Sequence, residues 1–201
     1  MNSAESIKEN IRKISGNIQD VLGKEKIISF STMTSLATQR TVIANLAIMY
    51  GQAGVKVIIL DTDFSNDLFS STFQVKSESS LDEFLNGKEM NINKIITNIP
   101  GQEVDLIPSI AKQNIGHGQI NATEDPRLKM LLSYLSKKYD LVLINTPQII
   151  DDKKMNKVLS LSDGVIFLHK VKVSRKKTVR MLLKNANLNK VNILGYIAVE
   201  D

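Results

Sequence analysis

The segment Val55–Leu60, VKVIIL, constrains this chain more than any other stretch. It is short, dominated by β-branched residues, free of strict polar alternation, and stops at Asp61. A strand of that kind has to be covered on both faces, which is the situation of a parallel sheet packed between helices. Leu141–Ile144 reads the same way, and Lys26–Phe30, Val104–Ile107, Gly164–Leu168 and Val191–Val199 complete the strand candidates. Helical patterns lie between them. Glu5–Leu22 spaces Ile7, Ile11, Ile14 and Ile18 at helical intervals and is closed by Gly23. Thr41–Gln52 carries Val42, Leu46 and Met49 on one face and is closed by Gly54. Leu81–Asn86, a segment from Asp125-Pro126 to about Lys138, Asp151–Leu161 and Ser174–Asn187 are the other expected helices, the second with Pro in its first turn.

Strands alternating with helices predict an α/β fold, a mostly parallel sheet with helices on both faces. With no linker and no internal repeat, residues 1–201 read as a single domain led by an amphipathic helix at about 5–22. Sheets of this type hold ligands at the carboxyl ends of their strands. The loops after Phe30, Leu60, Ile107, Ile144 and Leu168 are therefore the informative ones.

Composition removes several chemistries. The chain has no cysteine, which excludes disulfides, a cysteine nucleophile and thiolate-ligated metal. Its only histidines are His117 and His169, too few for a histidine-rich metal site, and no metal is expected. No apolar run approaches the ~20 residues of a membrane span, and Met1–Asp20 is not built as a signal peptide, so a cytoplasmic location is expected. The formal charge is +5, and its excess is concentrated. No acidic residue stands between Asp163 and Glu200, where Lys170, Lys172, Arg175, Lys176, Lys177, Arg180, Lys184 and Lys190 all fall. That block is either a solvated helix face or a surface for an anionic partner.

The unit from Ile27 to Phe64, IISFSTMTSLATQRTVIANLAIMYGQAGVKVIILDTDF, resembles the nucleotide-binding unit of the bacterial tyrosine kinases of capsule and exopolysaccharide synthesis. These kinases sit within the deviant-Walker P-loop ATPases that also include the ParA and MinD proteins. Asn45-Leu46-Ala47 resembles the helix after the family's P-loop, and Val57–Asp63 resembles its Asp-x-Asp strand, Walker A′. Leu81–Gly87, Leu106-Ile107-Pro108-Ser109, Tyr139–Pro147 and Ser162-Asp163-Gly164-Val165 are similar to later segments in the same order. The resemblance covers nearly the whole chain and implies a P-loop NTPase-like fold.

Against that pattern the phosphate site is altered. A P-loop needs glycines to turn backbone N–H groups around a phosphate, a Lys for the β/γ-phosphates, and a Ser/Thr hydroxyl for Mg²⁺. No glycine stands between Gly23 and Gly51. Counting back from Asn45, the family's two glycines fall on Leu36 and Thr38, its Lys on Gln39 and its Ser/Thr on Arg40. A shift of one residue would make Arg40 and Thr41 imitate the Lys-Ser/Thr pair. Asn145 stands where the Walker B Asp is usual, and Ser65 where an Arg commonly follows the Asp-x-Asp. Asp61 and Asp63 remain as in the pattern, either as relics of metal coordination or as acceptors that tie down the loop after a buried strand. The family's Glu-x-x-Arg-x-x-Arg assembly helix maps onto Glu5, Lys8 and Ile11, candidate partner contacts with one charge lost. Its C-terminal tyrosine cluster is missing here: Tyr50, Tyr134, Tyr139 and Tyr196 are scattered.

The resemblance and the altered loop together imply a catalytically degenerate, kinase-like protein that acts by binding. Its expected partners are a membrane copolymerase or adaptor of polysaccharide export, or a paralogous kinase, with oligomers allowed and no cofactor. One alternative is an active autokinase using Arg40, Thr41, Asp61 and Asp63 with Mg²⁺–ATP. A second is a partition-type protein that meets DNA or membrane through the basic block.

Overall fold

The computed structural model describes residues 3–21, 25–32, 35–87, 91–110, 125–148, 158–170, 180, 183–184, 186–187 and 190–199. Its strands are β1 (Ile27–Thr32), β2 (Val57–Asp61), β3 (Thr97–Asn98), β4 (Val104–Ile107), β5 (Leu141–Asn145), β6 (Gly164–Lys170) and β7 (Ile193–Val199). Its helices are α1 (Ser3–Val21), α2 (Leu36–Gln52), α3 (Leu68–Phe73), α4 (Leu81–Asn86), α5 (Ile92–Ile95) and α6 (Pro126–Lys138). The seven strands form one sheet in the order β3-β4-β2-β5-β1-β6-β7. All neighbours are parallel except β3 with β4.

The pleat divides the strand side chains between two cores. Ile28 and Phe30 of β1, Val57 and Ile59 of β2 and Leu141 and Leu143 of β5 pack with α1 and α2 on one face. Ile58 and Leu60 of β2 and Val142 and Ile144 of β5 pack with α4, α5 and α6 on the other. Every residue of β1, β2 and β5 is buried, which is why β2 and β5 lack the polar alternation of a half-exposed sheet. A third cluster joins Val165 and Phe167 of β6 to Leu159, Ala186 and Val191.

Three elements were not legible from periodicity. β3 has two residues and α5 a single turn, too short for a pattern to register. Positive φ at Gly101 (72°) turns the chain between β3 and β4. α3 has one fully packed side chain, Phe69, and so no repeating apolar face. α2 begins at Leu36, earlier than the expected Thr41, because Ser35 caps it and accepts from the Thr38 N–H at 3.3 Å. The helices expected at 151–161 and 174–187 fall mostly outside the described residues, as does His117.

At the amino-terminal helix the expectation needs correction. Ile11 is 7% exposed and belongs to the core shared with α2, so it is not free to meet a partner. Glu5 is exposed; the Lys8 side chain lies outside the described set.

Candidate functional site

The order of the sheet decides where chemistry could collect. β1 lies between β5 and β6, while its own helix leads to β2 on the far side of β5. The carboxyl ends of β1, β2 and β5 and the first turns of α2 therefore converge. The register places Phe30 beside Asn145, and Asn145 beside Asp61.

Gln39, in the second turn of α2, points inward and is fully buried. Its Nε2 donates to Asn145 Oδ1 at 2.7 Å and to the Thr146 carbonyl at 2.8 Å. Asn145 Nδ2 in turn donates to Asp61 Oδ1 at 2.8 Å, and the Asp63 N–H reaches the same oxygen at 3.0 Å. Ser109 Oγ lies 3.1 Å from Asp61 Oδ2. This relay runs from α2 across β5 to β2 and on to the loop after β4. Gln39 Oε1 is buried without a hydrogen-bond partner.

Asp61 is 1% exposed, and burial pushes its carboxyl up to about 7 against the favourable bonds from Asn145 and the Asp63 N–H. Asp63 has a cation of its own. The Arg40 guanidinium forms an ion pair with Asp63 Oδ2, with both side chains buried. Asp63 Oδ1 also accepts from the Ser65 N–H (3.2 Å) and Ser65 Oγ (2.6 Å). Asn66 Nδ2 lies 3.3 Å from Asp63 Oδ2, and Asn66 Oδ1 accepts from the Leu68 N–H at 3.2 Å. Both aspartates therefore act as acceptors that organise the loop between β2 and α3.

The other candidate residues of this segment, Leu36, Thr38 and Thr41, lie away from this centre. Leu36 and Thr38 are part of the capped first turn, where Thr38 Oγ1 meets Ser35 Oγ at 3.0 Å. Thr41 faces solvent, and its hydroxyl donates back to the Ala37 carbonyl at 3.0 Å. The shifted pairing of Arg40 with Thr41 is thus not assembled: one side chain is held by Asp63 and the other points out. Sequence reasoning missed Thr146 and Ser109 as members of the network, and Ser35 as the cap that sets the phase of α2. Thr146 fixes β5 to β1 through Oγ1 and the Phe30 carbonyl at 2.8 Å. Its only sequence signal is its place directly after Asn145. Among the described residues no three carboxylate or imidazole side chains gather as a metal site. None of the described helices is long and apolar enough to cross a membrane.

Comparison with known proteins places this geometry in context. A profile of the AAA-domain family matches residues 25–193. The tyrosine-protein kinase Etk of Escherichia coli K12 is 26% identical over 156 residues, covering 74% of this chain and 20% of Etk. The kinase domain of Escherichia coli Etk superposes with a TM-score of 0.85 at 23% identity, over 99% of this chain and 77% of that domain. The tyrosine-protein kinase CpsD of Streptococcus agalactiae is 23% identical over 158 residues, 74% of this chain and 64% of CpsD. The septum site-determining protein MinD of Pyrococcus horikoshii, solved with Mg-ADP, has a TM-score of 0.68 at 23% identity, over 86% of this chain and 69% of that one. The chain spans only 20–24% of the length of the first such kinases.

Proposed function

Because the chain belongs to the AAA-domain family while Gln39 and Arg40 at its P-loop positions are turned inward, we propose that it works by binding and not by catalysis. It would be a kinase-like regulatory or docking protein of capsular or exopolysaccharide synthesis. The observation that carries this reading is the closed polar centre, in which Gln39 holds Asn145 and Arg40 holds Asp63. The residues present do not fit Mg²⁺–ATP. The position that should offer a Lys to the β/γ-phosphates is a neutral, fully buried Gln39 aimed at the strand ends. The position that should offer a hydroxyl to the metal is an arginine, and a metal would have to share Asp63 with that cation.

A phosphoryl-transfer site depends on positioned charge for nearly all its rate, so these changes bear on the chemistry itself. The kinase resemblance supplies the setting: a membrane copolymerase or adaptor, or a paralogous kinase, is the proposed partner, met at the inner face of the membrane. An active autokinase would need Thr41 and Arg40 free to meet a nucleotide, and Thr41 is exposed and bonded to its own helix.

Thermal unfolding with and without millimolar Mg²⁺–ATP or Mg²⁺–ADP tests the reading. Nucleotide at about 100 times its dissociation constant would stabilise the fold by roughly 2.7 kcal/mol. In a chain of this size that is a rise in Tm of several degrees, roughly 5–11 °C. No shift is expected; a clear rise with either nucleotide would overturn the non-catalytic reading.

A further inference from the structure

The Arg40–Asp63 pair does more than close the site. We propose that the Arg40 guanidinium is a resident cation that fixes the 62–67 loop in one shape, in the role a divalent metal ion has where a Ser or Thr stands at its position. The proposal rests on the non-catalytic reading for its metal comparison; the holding of the loop stands on geometry alone.

Three observations lead to it. Arg40 sits in α2 and Asp63 in the loop after β2, so their pair crosses between separate elements. Both partners are buried, so solvent does not screen the attraction, and removing one leaves an uncompensated charge. Asp63 is also the hub of its own loop. Through Oδ1 it accepts from Ser65, through Oδ2 it meets Asn66, and Asn66 passes the constraint to the first residue of α3. The Thr62 N–H and Oγ1 both donate to the Asn145 carbonyl, at 2.9 and 2.8 Å, which pins the start of the loop. The loop is thus held at its base by β5 and at its centre by Arg40.

In nucleotide switches a loop can be ordered by contacts to the γ-phosphate and its metal ion and released when they leave. Here the cation is covalently part of the chain. The loop should therefore keep a single conformation whatever the nucleotide concentration. Arg40 is accordingly a positioning residue, acting on the loop through Asp63.

Hydrogen exchange on the full chain tests this, comparing amides of residues 62–68 with those of β5 as an internal reference. In the unaltered protein the loop should exchange slowly and be indifferent to Mg²⁺ or Mg²⁺–ATP. Arg40→Met, which keeps bulk and loses charge, should speed loop exchange at least tenfold relative to β5. Arg40→Lys, which keeps a cation, should restore most of the protection. If Arg40→Met does not fold, Asp63→Asn removes the same pair from the other side and should loosen the same amides. Unchanged loop exchange in these neutral variants, or loss in Arg40→Lys equal to that in Arg40→Met, would overturn the proposal. A loop that tightens with Mg²⁺–ATP in the unaltered protein would sink the non-catalytic reading and with it the metal comparison. The latch would still be judged by the variants in the absence of nucleotide.

Discussion

Replacing Asn145 by aspartate restores the residue usual at the end of a Walker B strand, yet here it should damage the protein in a pH-dependent way. Asn145 is fully buried and gives its Nδ2 proton to Asp61 Oδ1 at 2.8 Å. The substitution puts two carboxylate oxygens at that separation. Two full charges about 3 Å apart would repel by roughly 6 kcal/mol at an effective dielectric constant near 20. The pair avoids that by keeping one proton, as carboxylates sharing a site do. Holding the proton is easy where Asp61 is already protonated and costly above its folded value of about 7.

Adding the lost donor, worth about 1–3 kcal/mol when a buried acceptor is left facing another, the expected loss is about 2–4 kcal/mol at pH 8. Near pH 5.5 the loss should fall below about 1 kcal/mol, since a shared proton replaces the amide bond. Urea unfolding at both pH values measures it, each variant compared with the parent under the same conditions. Gln39→Lys alone buries an ammonium group against the neutral Asn145 and should also destabilise. In the double variant the introduced ammonium would face the introduced carboxylate, so a favourable coupling of about 1–3 kcal/mol is expected. Neither single variant should turn over ATP. Asn145→Asp that loses no more stability near pH 8 than near pH 5.5 would refute the argument, and so would additive effects in the double variant.

Asp61→Asn should flatten the dependence of stability on pH. The native state holds a proton on Asp61 that the unfolded chain has released, so the stability due to this group is complete below about pH 4 and lost as pH rises through about 7. The variant should be the more stable protein above neutrality, with the advantage shrinking as pH falls and gone only below about pH 4, read from unfolding midpoints. Gly51→Ala should cost about 1–3 kcal/mol, because an added Cβ would lie 2.6 Å from the Glu103 carbonyl oxygen and force α2 away from β4. Gly16→Ala, at an exposed position of α1, meets nothing within 4 Å and should instead stabilise by about 0.5–1 kcal/mol, which thermal melts can resolve.

Much of the architecture follows from local pattern. VKVIIL and the run at 141–144 must be covered on both faces, and the segments between the strands carry helical spacing, so a parallel sheet between helices is already implied by the chain itself. Asp125 before Pro126 marked the start of α6, and the Asp125 side chain does accept from the Arg127 N–H at 2.9 Å. The family resemblance drew attention to the glycine-free stretch from 24 to 50 and to Gln39, Arg40 and Asn145, and the fold does bring Gln39 to Asn145 at the strand ends. Spacing says nothing about direction, however. That Gln39 turns in to Asn145 while Thr41 turns out depends on helical phase, which was set by where Ser35 capped α2. Nor could sequence pair Arg40 with Asp63 or bring Ser109 to Asp61, because those partners lie on separate strands and loops whose order in the sheet is not written in any local segment. Local propensity and burial pattern are properties of neighbours along the chain; ion pairs and hydrogen-bond relays are properties of neighbours in space, and only packing the strands in the order β2-β5-β1 created them.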